Sequence, residues 1–296
     1  MAIILAFCNK KGGCGKTAAA INVAAGLAAE LKQGKRVLLI DADGQGNSSS
    51  NLGCKITGKK LNKTLYEALT KDRLLDDVVI TTEFENLDVL VGDSQLDKIN
   101  MEMTIDPGAP TLLKDLLESS DISNYEYIVI DTNPAINLMF YNALNAAHYF
   151  VLPIFPEADS FDGVAMMFEV IARIQKKSNK MLDFLGMIVT RNKDKSGTHK
   201  NFMKKIREFG EKNNIPILAT IPDSDAVAAA SANKKPLIYY RADLPVSEAY
   251  STLSRFLLKA LKPRRGRPTT LDIPSREFEE LATHEFKHNE VEIDFE

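Results

Sequence analysis

A glycine-rich segment that joins an apolar run to an alanine-rich run most constrains how this chain can fold. Residues 10–17 read Lys-Lys-Gly-Gly-Cys-Gly-Lys-Thr and follow the apolar run 3–8. Apolar side chains then recur at helical spacing from Thr17 to Leu31. A buried strand, a glycine-rich loop and a helix in this order aim backbone N–H groups and the positive end of the helix at an anion. The segment therefore predicts a phosphate-binding loop at the carboxyl end of a buried strand.

The end of this loop supplies the groups that an ordinary phosphate-binding loop uses. That motif is G-x-x-x-x-G-K-[ST], which would place a glycine where Lys10 stands. Lys16 is expected to reach the β- and γ-phosphates of a nucleotide, and the Thr17 hydroxyl to ligate Mg²⁺. A second lysine, Lys11, precedes the glycine pair and has no role in the ordinary motif. Nucleotide contacts are expected from Gly12, Gly13, Cys14, Gly15, Lys16, Thr17 and Ala18.

The pattern K-G-G-x-G-K-T over residues 11–17 resembles the deviant Walker A family of ATPases, which includes ParA, MinD and the nitrogenase iron protein. In that family the extra lysine crosses a dimer interface to the nucleotide of the partner subunit. The resemblance implies an ATP-bound homodimer in which Lys11 and Lys16 are catalytic residues. Ala18 departs from the family, which commonly has a second threonine there, so a contact to the α-phosphate is expected to be missing.

Short apolar runs alternate with helical stretches through most of the chain. This alternation predicts an α/β fold with a doubly wound, mostly parallel sheet and helices on both faces, as in P-loop NTPases. Strands are predicted at 3–8, 36–40, 87–91, 127–130, 149–153, 184–189 and 216–221. Helices are predicted at 17–31, 62–70, 110–119, 137–147, 160–178, 197–213, 224–233 and 246–261.

Two carboxylates follow the second predicted strand, in the sequence D-A-D-G-Q-G-N of residues 41–47. The carboxyl ends of strands border the crevice where α/β proteins bind ligands. The segment resembles the ParA switch motif D-x-D-P-Q-G-N, with Gly44 in place of proline. The resemblance implies that Asp43 orients or activates the attacking water and that Asp41 supports the Mg²⁺ shell. Gly44 is expected to loosen the loop; the alternative without chemistry is that both carboxylates cap a strand-to-helix loop.

A second acidic position ends the run Y-I-V-I-D-T-N-P of residues 127–134. Apolar residues that end in Asp131 match the Walker B pattern, in which the carboxylate holds Mg²⁺ through water. The family usually reads D-T-P-P here. Asn133 departs from it at a position where no loss of metal binding is expected.

The adenine pocket is less clearly marked than the phosphate end. The sequence F-P-E at residues 155–157 resembles the family segment P-x-x-P-E after the next strand. By the same resemblance Pro222 and Asp223 are expected to border the adenine, and Asn192 to contact its edge.

Composition excludes several classes of protein. No apolar run reaches about 18 residues and no basic segment precedes an apolar one near the N-terminus, which argues against a membrane span or a secretory signal. The three cysteines, Cys8, Cys14 and Cys54, show no C-x-x-C spacing and fit a reducing cytoplasm without disulfides. The formal net charge is −3, so nucleic-acid binding requires a local basic patch.

One candidate patch lies on the predicted helix 197–213. Phe202, Ile206 and Phe209 fall on one side of this helix, and a basic stripe falls on the other. A solvated helix face is one interpretation. Resemblance to ParA, whose ATP-bound dimers coat DNA without sequence preference, favours phosphate contacts instead. The stripe consists of Lys200, Lys204 and Arg207.

Composition changes after Leu261, which suggests an ATPase domain at 1–261 and an extended tail at 262–296 that is first basic and then acidic. Within the tail, Arg265 and Arg267 flank a glycine in a sequence that resembles an AT-hook, a reader of narrow A·T minor grooves. A plain solvated linker is the alternative interpretation.

Together these patterns resemble a ParA-type partition ATPase over residues 1–261. The resemblance implies ATP and Mg²⁺ as cofactors, non-specific DNA binding by the ATP dimer, and release when a ParB-like centromere-binding partner stimulates hydrolysis. We expect a cytoplasmic, nucleoid-associated protein with no membrane partner, which segregates a plasmid or a chromosome.

Three alternatives stay open. The cargo could be a protein assembly, which nothing in the sequence excludes. A MinD-like membrane cycle would need a basic amphipathic tail, whereas the apolar residues of this tail are flanked by acids. Electron transfer of the nitrogenase type would need paired cluster-ligating cysteines, and the chain has no suitable pair.

Overall fold

The computed structural model describes residues 2–54, 62–71, 73–103, 106–157, 161, 163–193 and 197–261. Its strands are β1 Ile3–Phe7, β2 Arg36–Ala42, β3 Ile80–Thr81, β4 Leu87–Leu90, β5 Tyr125–Thr132, β6 Tyr149–Ile154, β7 Asp183–Asn192 and β8 Ile217–Pro222. Its first helices are α1 Lys16–Glu30, α2 Asn47–Asn51, α3 Leu65–Thr70, α4 Leu75–Val78, α5 Leu96–Glu102 and α6 Leu112–Ser119. The later ones are α7 Leu138–Ala146, α8 Val164–Lys177, α9 Gly197–Lys212, α10 Ala226–Ala232, α11 Leu237–Tyr240 and α12 Pro245–Ala260.

The strands form one 8-stranded sheet in the order β3-β4-β2-β5-β1-β6-β7-β8. Among the strands in the described residues, only β3 is antiparallel to its neighbour, β4. Apolar clusters cover both faces, with α1 and α12 packed on one face and α7 and α8 on the other. Because both faces are covered, the central strands are mainly apolar on both faces rather than alternating. The doubly wound α/β prediction is confirmed.

The strand order gathers three loops at one point of the sheet. β5 lies between β1 and β2, and the register pairs Asp131 with both Phe7 and Asp41. The loops that follow these parallel strands therefore open side by side at the carboxyl edge. This edge is where the three nucleotide-site segments were expected to meet.

The opposite, amino edge of the same sheet also contains a buried acid. Asp88 of β4 accepts two hydrogen bonds from the guanidinium of Arg36, and its Oδ2 lies 3.1 Å from the Tyr125 hydroxyl that donates to it. Both carboxylate oxygens of Asp88 are thus matched by donors, one of them a cation.

Every predicted strand and helix is present, with shifted ends. The helix predicted at 62–70 begins at Leu65, because the Thr64 side chain accepts a hydrogen bond from the Glu67 N–H and caps it. The helix predicted at 160–178 begins at Val164, after Gly163 in the left-handed conformation. The prediction missed the short elements β3, α2, α4, α5 and α11, which are too short to show a hydrophobic period.

Among the residues that the structure describes, none of the helices is long and apolar enough to cross a membrane. The tail at 262–296 lies outside the described residues, so the proposed boundary after residue 261 stays a prediction.

Candidate nucleotide-binding site

Thr190 of strand β7, which belongs to none of the predicted motifs, fixes the position of the glycine-rich loop. The Thr190 hydroxyl, at the end of β7, donates a hydrogen bond to the Cys14 carbonyl at 2.8 Å and lies 3.2 Å from the Ile154 carbonyl. Thr190 is buried, so solvent does not compete for these contacts. The middle of the loop is thereby held against β6 and β7.

A second residue fixes the start of the loop. The Asn9 amide donates to the Pro153 carbonyl at 2.7 Å, and its side-chain oxygen accepts the Lys11 N–H at 2.9 Å. Asn9 is buried immediately after β1. Thr190 and Asn9 together set the path of the loop before any ligand is bound, which is preorganisation of the backbone donors.

Lys16 lies inside the loop that it is expected to serve. Its side chain is buried, and Nζ donates to the Lys11 carbonyl at 2.9 Å and lies 3.8 Å from the Cys14 Sγ. Burial raises the pKa of the Cys14 thiol, so Cys14 is a neutral filler of the loop at neutral pH. The loop therefore holds a buried ammonium within a ring of backbone groups, an arrangement suited to an anion.

Lys11 is held by its own chain. Its Nζ lies 3.2 Å from Oε2 of Glu157, which follows β6. The side chain of Lys11 is 17% exposed and that of Glu157 is 48% exposed. Lys10 packs beside it over Gly163, with Nζ 3.4 Å from the Met166 sulfur. Gly12 and Gly13 are exposed at the lip of the loop.

The two strand-end carboxylates, Asp41 and Asp131, are both fully buried. Asp41 Oδ2 accepts hydrogen bonds from the Ser49 N–H at 2.8 Å and the Ser49 hydroxyl at 2.6 Å. Asp131 Oδ2 accepts one from the Ser48 hydroxyl at 2.7 Å. Asp131 Oδ1 is a buried oxygen without a hydrogen-bond partner among the described residues.

Burial raises the pKa of both carboxylates well above the ordinary range. For Asp41 the neighbouring charge of Asp131 raises the pKa further. For Asp131 the hydroxyls of Ser48 and Thr17 and the charge of Lys16 lower the pKa without cancelling the effect of burial. The pair is therefore short of positive charge in the ligand-free protein.

These residues fit Mg²⁺. The ion prefers oxygen ligands and is usually bound through one or two carboxylates together with substrate phosphates. The unpartnered Oδ1 of Asp131 and the adjacent Thr17 hydroxyl are such oxygens. No group of three or more His, Cys, Asp or Glu side chains in the described residues could hold a metal by itself. A Mg²⁺ site that is completed by nucleotide phosphates does not need three such protein ligands.

A family model described as an AAA domain matches residues 2–184. The chromosome partitioning protein ParA of Caulobacter vibrioides is 32% identical over 266 residues, which cover 89% of this chain and 97% of that protein. The chain belongs to the ParA family.

Two solved structures similar to this chain contain a nucleotide. A putative plasmid partition protein of Borrelia burgdorferi bound to AMPPNP is 26% identical, with a TM-score of 0.74 and coverage of 88% of this chain and 100% of that one. Cobyrinic acid a,c-diamide synthase of Mycobacterium smegmatis with an ATP analog and magnesium is 25% identical, with the same TM-score and coverage of 91% and 100%. Structures related to the ParA family thus bind both nucleotide and Mg²⁺.

The ParA-type switch segment lies directly above the two carboxylates. The Asp43 side chain is half-buried, and its Oδ1 accepts the Gln45 N–H at 3.0 Å, while its own N–H lies 3.3 Å from Asp41 Oδ1. Gly44 is buried, and a Cβ built on it would lie 2.8 Å from Oδ1 of Asp97. The space that a proline would use in other members of the ParA family is taken by α5, which the sequence did not reveal. The expected loosening of the loop stays a prediction.

The three residues expected near the adenine lie together. Asn192 and Pro222 are paired in register on β7 and β8, and the Asp223 N–H donates to the Asn192 carbonyl at 2.9 Å. The Asp223 carboxylate lies 3.4 Å from Nε of Arg191 and 3.5 Å from Nζ of Lys193. Sequence reasoning missed these two ion pairs, since they join separate strands. Thr190 on the same strand contacts the loop, so this cluster borders the nucleotide site.

The α9 surface carries the predicted basic stripe. Lys200, Lys204 and Arg207 are exposed, and Lys204 forms a 3.7 Å ion pair with Glu208 one turn later. On the apolar side, Ile206 and Phe209 are buried and Phe202 is half-buried. The buried residues of α9 are His199, Met203, Ile206, Phe209 and Gly210. Arg265 and Arg267 of the AT-hook-like sequence lie outside the described residues.

Proposed function

We propose that this chain is a Mg²⁺-dependent ATPase that partitions DNA through an ATP-bound dimer. The observation that carries the proposal is the pair Asp41 and Asp131, buried side by side next to Lys16 and Thr17 with one oxygen unpartnered. A buried carboxylate oxygen that lacks a hydrogen-bond partner is costly, so its retention at a loop of this shape favours a ligand-binding role.

Each residue of the site has a distinct task in this proposal. Lys16 and the backbone N–H groups of residues 12–18 bind the phosphates, and Thr17 and Asp131 hold the metal, with Asp41 supporting them. Mg²⁺ held by Thr17 and Asp131 would supply positive charge that neutralises charge on the phosphates. Asp43, on the open side of the carboxylate pair, orients the attacking water and accepts its proton. Asn192, Pro222 and Asp223 border the adenine.

Hydrolysis in this proposal needs a second subunit, which would receive the second lysine of the motif, Lys11. In the single chain Lys11 is paired with Glu157. We propose that dimerisation transfers this lysine to the nucleotide of the partner subunit, where it stabilises charge that develops on the phosphates. The dimer would then be the active species and hydrolysis would dissolve it.

The hydrolysis proposal is tested by Asp43→Ala. Loss of the water-orienting carboxylate should lower kcat by about 10²–10⁴-fold and leave ATP binding unchanged, because Asp43 acts on water and not on nucleotide. Asp93→Ala is the matched control: Asp93 Oδ1 accepts the Gln95 N–H at 3.0 Å, the same turn that Asp43 makes with Gln45. Turnover by Asp43→Ala at the parental rate would remove Asp43 from the mechanism.

We propose that the ATP-bound dimer binds DNA at the nucleoid and that a ParB-like protein stimulates its ATP hydrolysis. The support is ParA-family membership and the exposed cations of α9. Contacts of this kind bind phosphates, so affinity should depend on ATP, fall steeply with salt and show no sequence preference. A protein cargo is the alternative if no DNA affinity is found.

The DNA proposal is tested by the triple charge reversal of Lys200, Lys204 and Arg207 to Glu. Binding to every duplex should weaken by about 10-fold or more at fixed salt, with a shallower salt dependence. The matched control reverses three exposed cations of α8, Arg173, Lys176 and Lys177, and so makes the same change in net charge. Equal losses of DNA affinity in both variants would mean that overall net charge, and not the α9 surface, determines binding. Truncation after Leu261, titrated on A·T-rich and G·C-rich duplexes, tests the tail separately.

A further inference from the structure

Two consecutive serines of the short helix α2 contact the two buried carboxylates. Ser48 and Ser49 are both buried, and they point to Asp131 and Asp41, which are neighbours across β5 and β2. The first turn of α2 is thus docked on two strands at once. The function proposed above assigns no task to either serine.

The two contacts differ in what they fix. Ser49 donates to Asp41 through both its N–H and its hydroxyl, and its hydroxyl oxygen accepts the Gly92 N–H at 3.2 Å. Ser49 therefore anchors α2 to the sheet whether or not a ligand is bound. Within the part of the chain that the structure describes, Ser48 makes a single side-chain hydrogen bond, to Oδ2 of Asp131, and the other oxygen of this carboxylate has no partner.

The segment between Asp43 and Ser48 is short, and within it the Gly46 N–H donates to the Asp43 carbonyl at 2.9 Å. Gly46 has a φ of 61°, and a Cβ built on it would lie 2.6 Å from the Gly92 carbonyl. The Ser50 N–H donates to the Gly46 carbonyl, which ties this segment to α2. A displacement of Ser48 therefore reaches Asp43.

We propose that Ser48 is a positioning residue that couples metal occupancy at Asp131 to the conformation of the switch segment 43–47. The proposal depends on Mg²⁺ binding at Asp131, as argued under the proposed function. A carboxylate is one planar group, so fixing Oδ1 toward a metal fixes Oδ2 as well. The hydroxyl-to-carboxylate hydrogen bond, of a strong charge-assisted type, then holds Ser48, α2 and the backbone of Asp43 in one arrangement.

Hydrogen exchange of the full chain tests this coupling. Exchange is compared in ADP with Mg²⁺ and in ADP with EDTA, so neither dimerisation nor turnover contributes. In the parent, Mg²⁺ should slow exchange of residues 43–51 by about 10-fold, the effect expected for a hydrogen bond to a charged group. In Ser48→Ala this Mg²⁺-dependent slowing should disappear, while the nucleotide still protects residues 11–18.

Ser50→Ala is the matched control, because Ser50 lies in the same helix and its side chain makes no hydrogen bond among the described residues. It should behave as the parent. Steady-state turnover adds a second measurement: Ser48→Ala should lower kcat and leave the KM for ATP unchanged, and Ser48→Thr, which keeps the hydroxyl, should restore kcat.

The outcomes separate the two proposals. If Mg²⁺ still slows exchange of residues 43–51 in Ser48→Ala, the coupling is wrong. If Ser48→Ala loses protection across the sheet in EDTA as well, Ser48 is a structural residue and the coupling is also wrong. If the parent itself shows no nucleotide protection of residues 11–18, the proposed function fails first.

Discussion

Two buried acidic sites lie at opposite edges of the same sheet and are built differently. At the amino edge, Asp88 meets the guanidinium of Arg36 and the hydroxyl of Tyr125, so both of its oxygens have donors. At the carboxyl edge, Asp41 and Asp131 meet mainly serine groups, and one oxygen of Asp131 has no partner among the described residues.

The difference in partners distinguishes a structural ion pair, at Asp88, from a candidate ligand site, at Asp41 and Asp131. Arg36 neutralises Asp88 within the chain, so nothing further is needed there. Burial raises the pKa of both Asp41 and Asp131, and at Asp131 the charge of Lys16 offsets this rise only in part. Such a cost is tolerated where ligand binding offsets it, which supports the proposal that the functional residues lie at the carboxyl edge.

The largest test of this contrast concerns Lys11, the cation that we propose the carboxyl edge receives from a second subunit. Lys11→Ala should lower the hydrolysis rate by about 10³–10⁵-fold, the range for charge stabilisation by a residue supplied in trans. ATP should still bind to the monomer, while the ATP-dependent dimer is lost. Sedimentation and turnover with ATP measure both effects.

Lys10 and Lys16 give the comparison for Lys11. Lys10→Ala, at the exposed neighbouring lysine, should retain both the dimer and turnover, whereas Lys16→Ala should lose nucleotide binding itself because Lys16 lies inside the loop. A normal ATP-dependent dimer in Lys11→Ala would contradict the role in trans.

The next test compares one substitution at both edges. The folded-state pKa of Asp131 is raised to about 6, so its contribution to stability is fully present below the unfolded pKa and is lost as pH rises through the folded value. At pH 8 in EDTA without nucleotide, Asp131→Asn should therefore raise the Tm by about 2–6 °C, and the gain should vanish near pH 4.

Asp88→Asn should do the opposite. It removes the charge that pairs with Arg36 and leaves the guanidinium without its partner, so the Tm should fall by several degrees. Calorimetry of both variants at both pH values is the measurement. If both substitutions lower the Tm at pH 8, the two acidic sites respond alike, and the distinction between a structural ion pair at Asp88 and a ligand site at Asp131 is wrong.

The sequence predicted the parts of the site that are local in the chain. The loop at 10–17, the switch carboxylates and Asp131 each lie at or just after the end of a strand that its apolar run identifies, and parallel strands gather their ends at one edge. The strands and long helices were predicted for the same reason, since their hydrophobic periods span enough residues to be seen.

The parts that could not be predicted depend on contacts between distant residues. Thr190 supports the loop across a sequence separation of 176 residues, and Ser48 meets Asp131 across 83. No sequence pattern around Ser48 or Thr190 predicts such a distant partner. Short helices such as α2 and α5 form because of these tertiary contacts rather than their own periodicity, which is why Asp97 beside Gly44 was also missed.

The smallest expected effect concerns Ala18, where the carboxyl edge lacks a group that other ParA-family loops have. Ala18 lies in the first turn of α1, next to Thr17, and is half-buried. Ala18→Thr adds a hydroxyl within reach of a bound α-phosphate and should tighten ATP binding by about 3- to 10-fold, the usual net value of one hydrogen bond. Ala18→Val is the matched control, since it adds the same branched shape without a donor. Titration with ATP decides the point: equal affinities of the two variants would mean that shape, and not the hydroxyl, changes binding, and that the loop is already complete without a polar group at position 18.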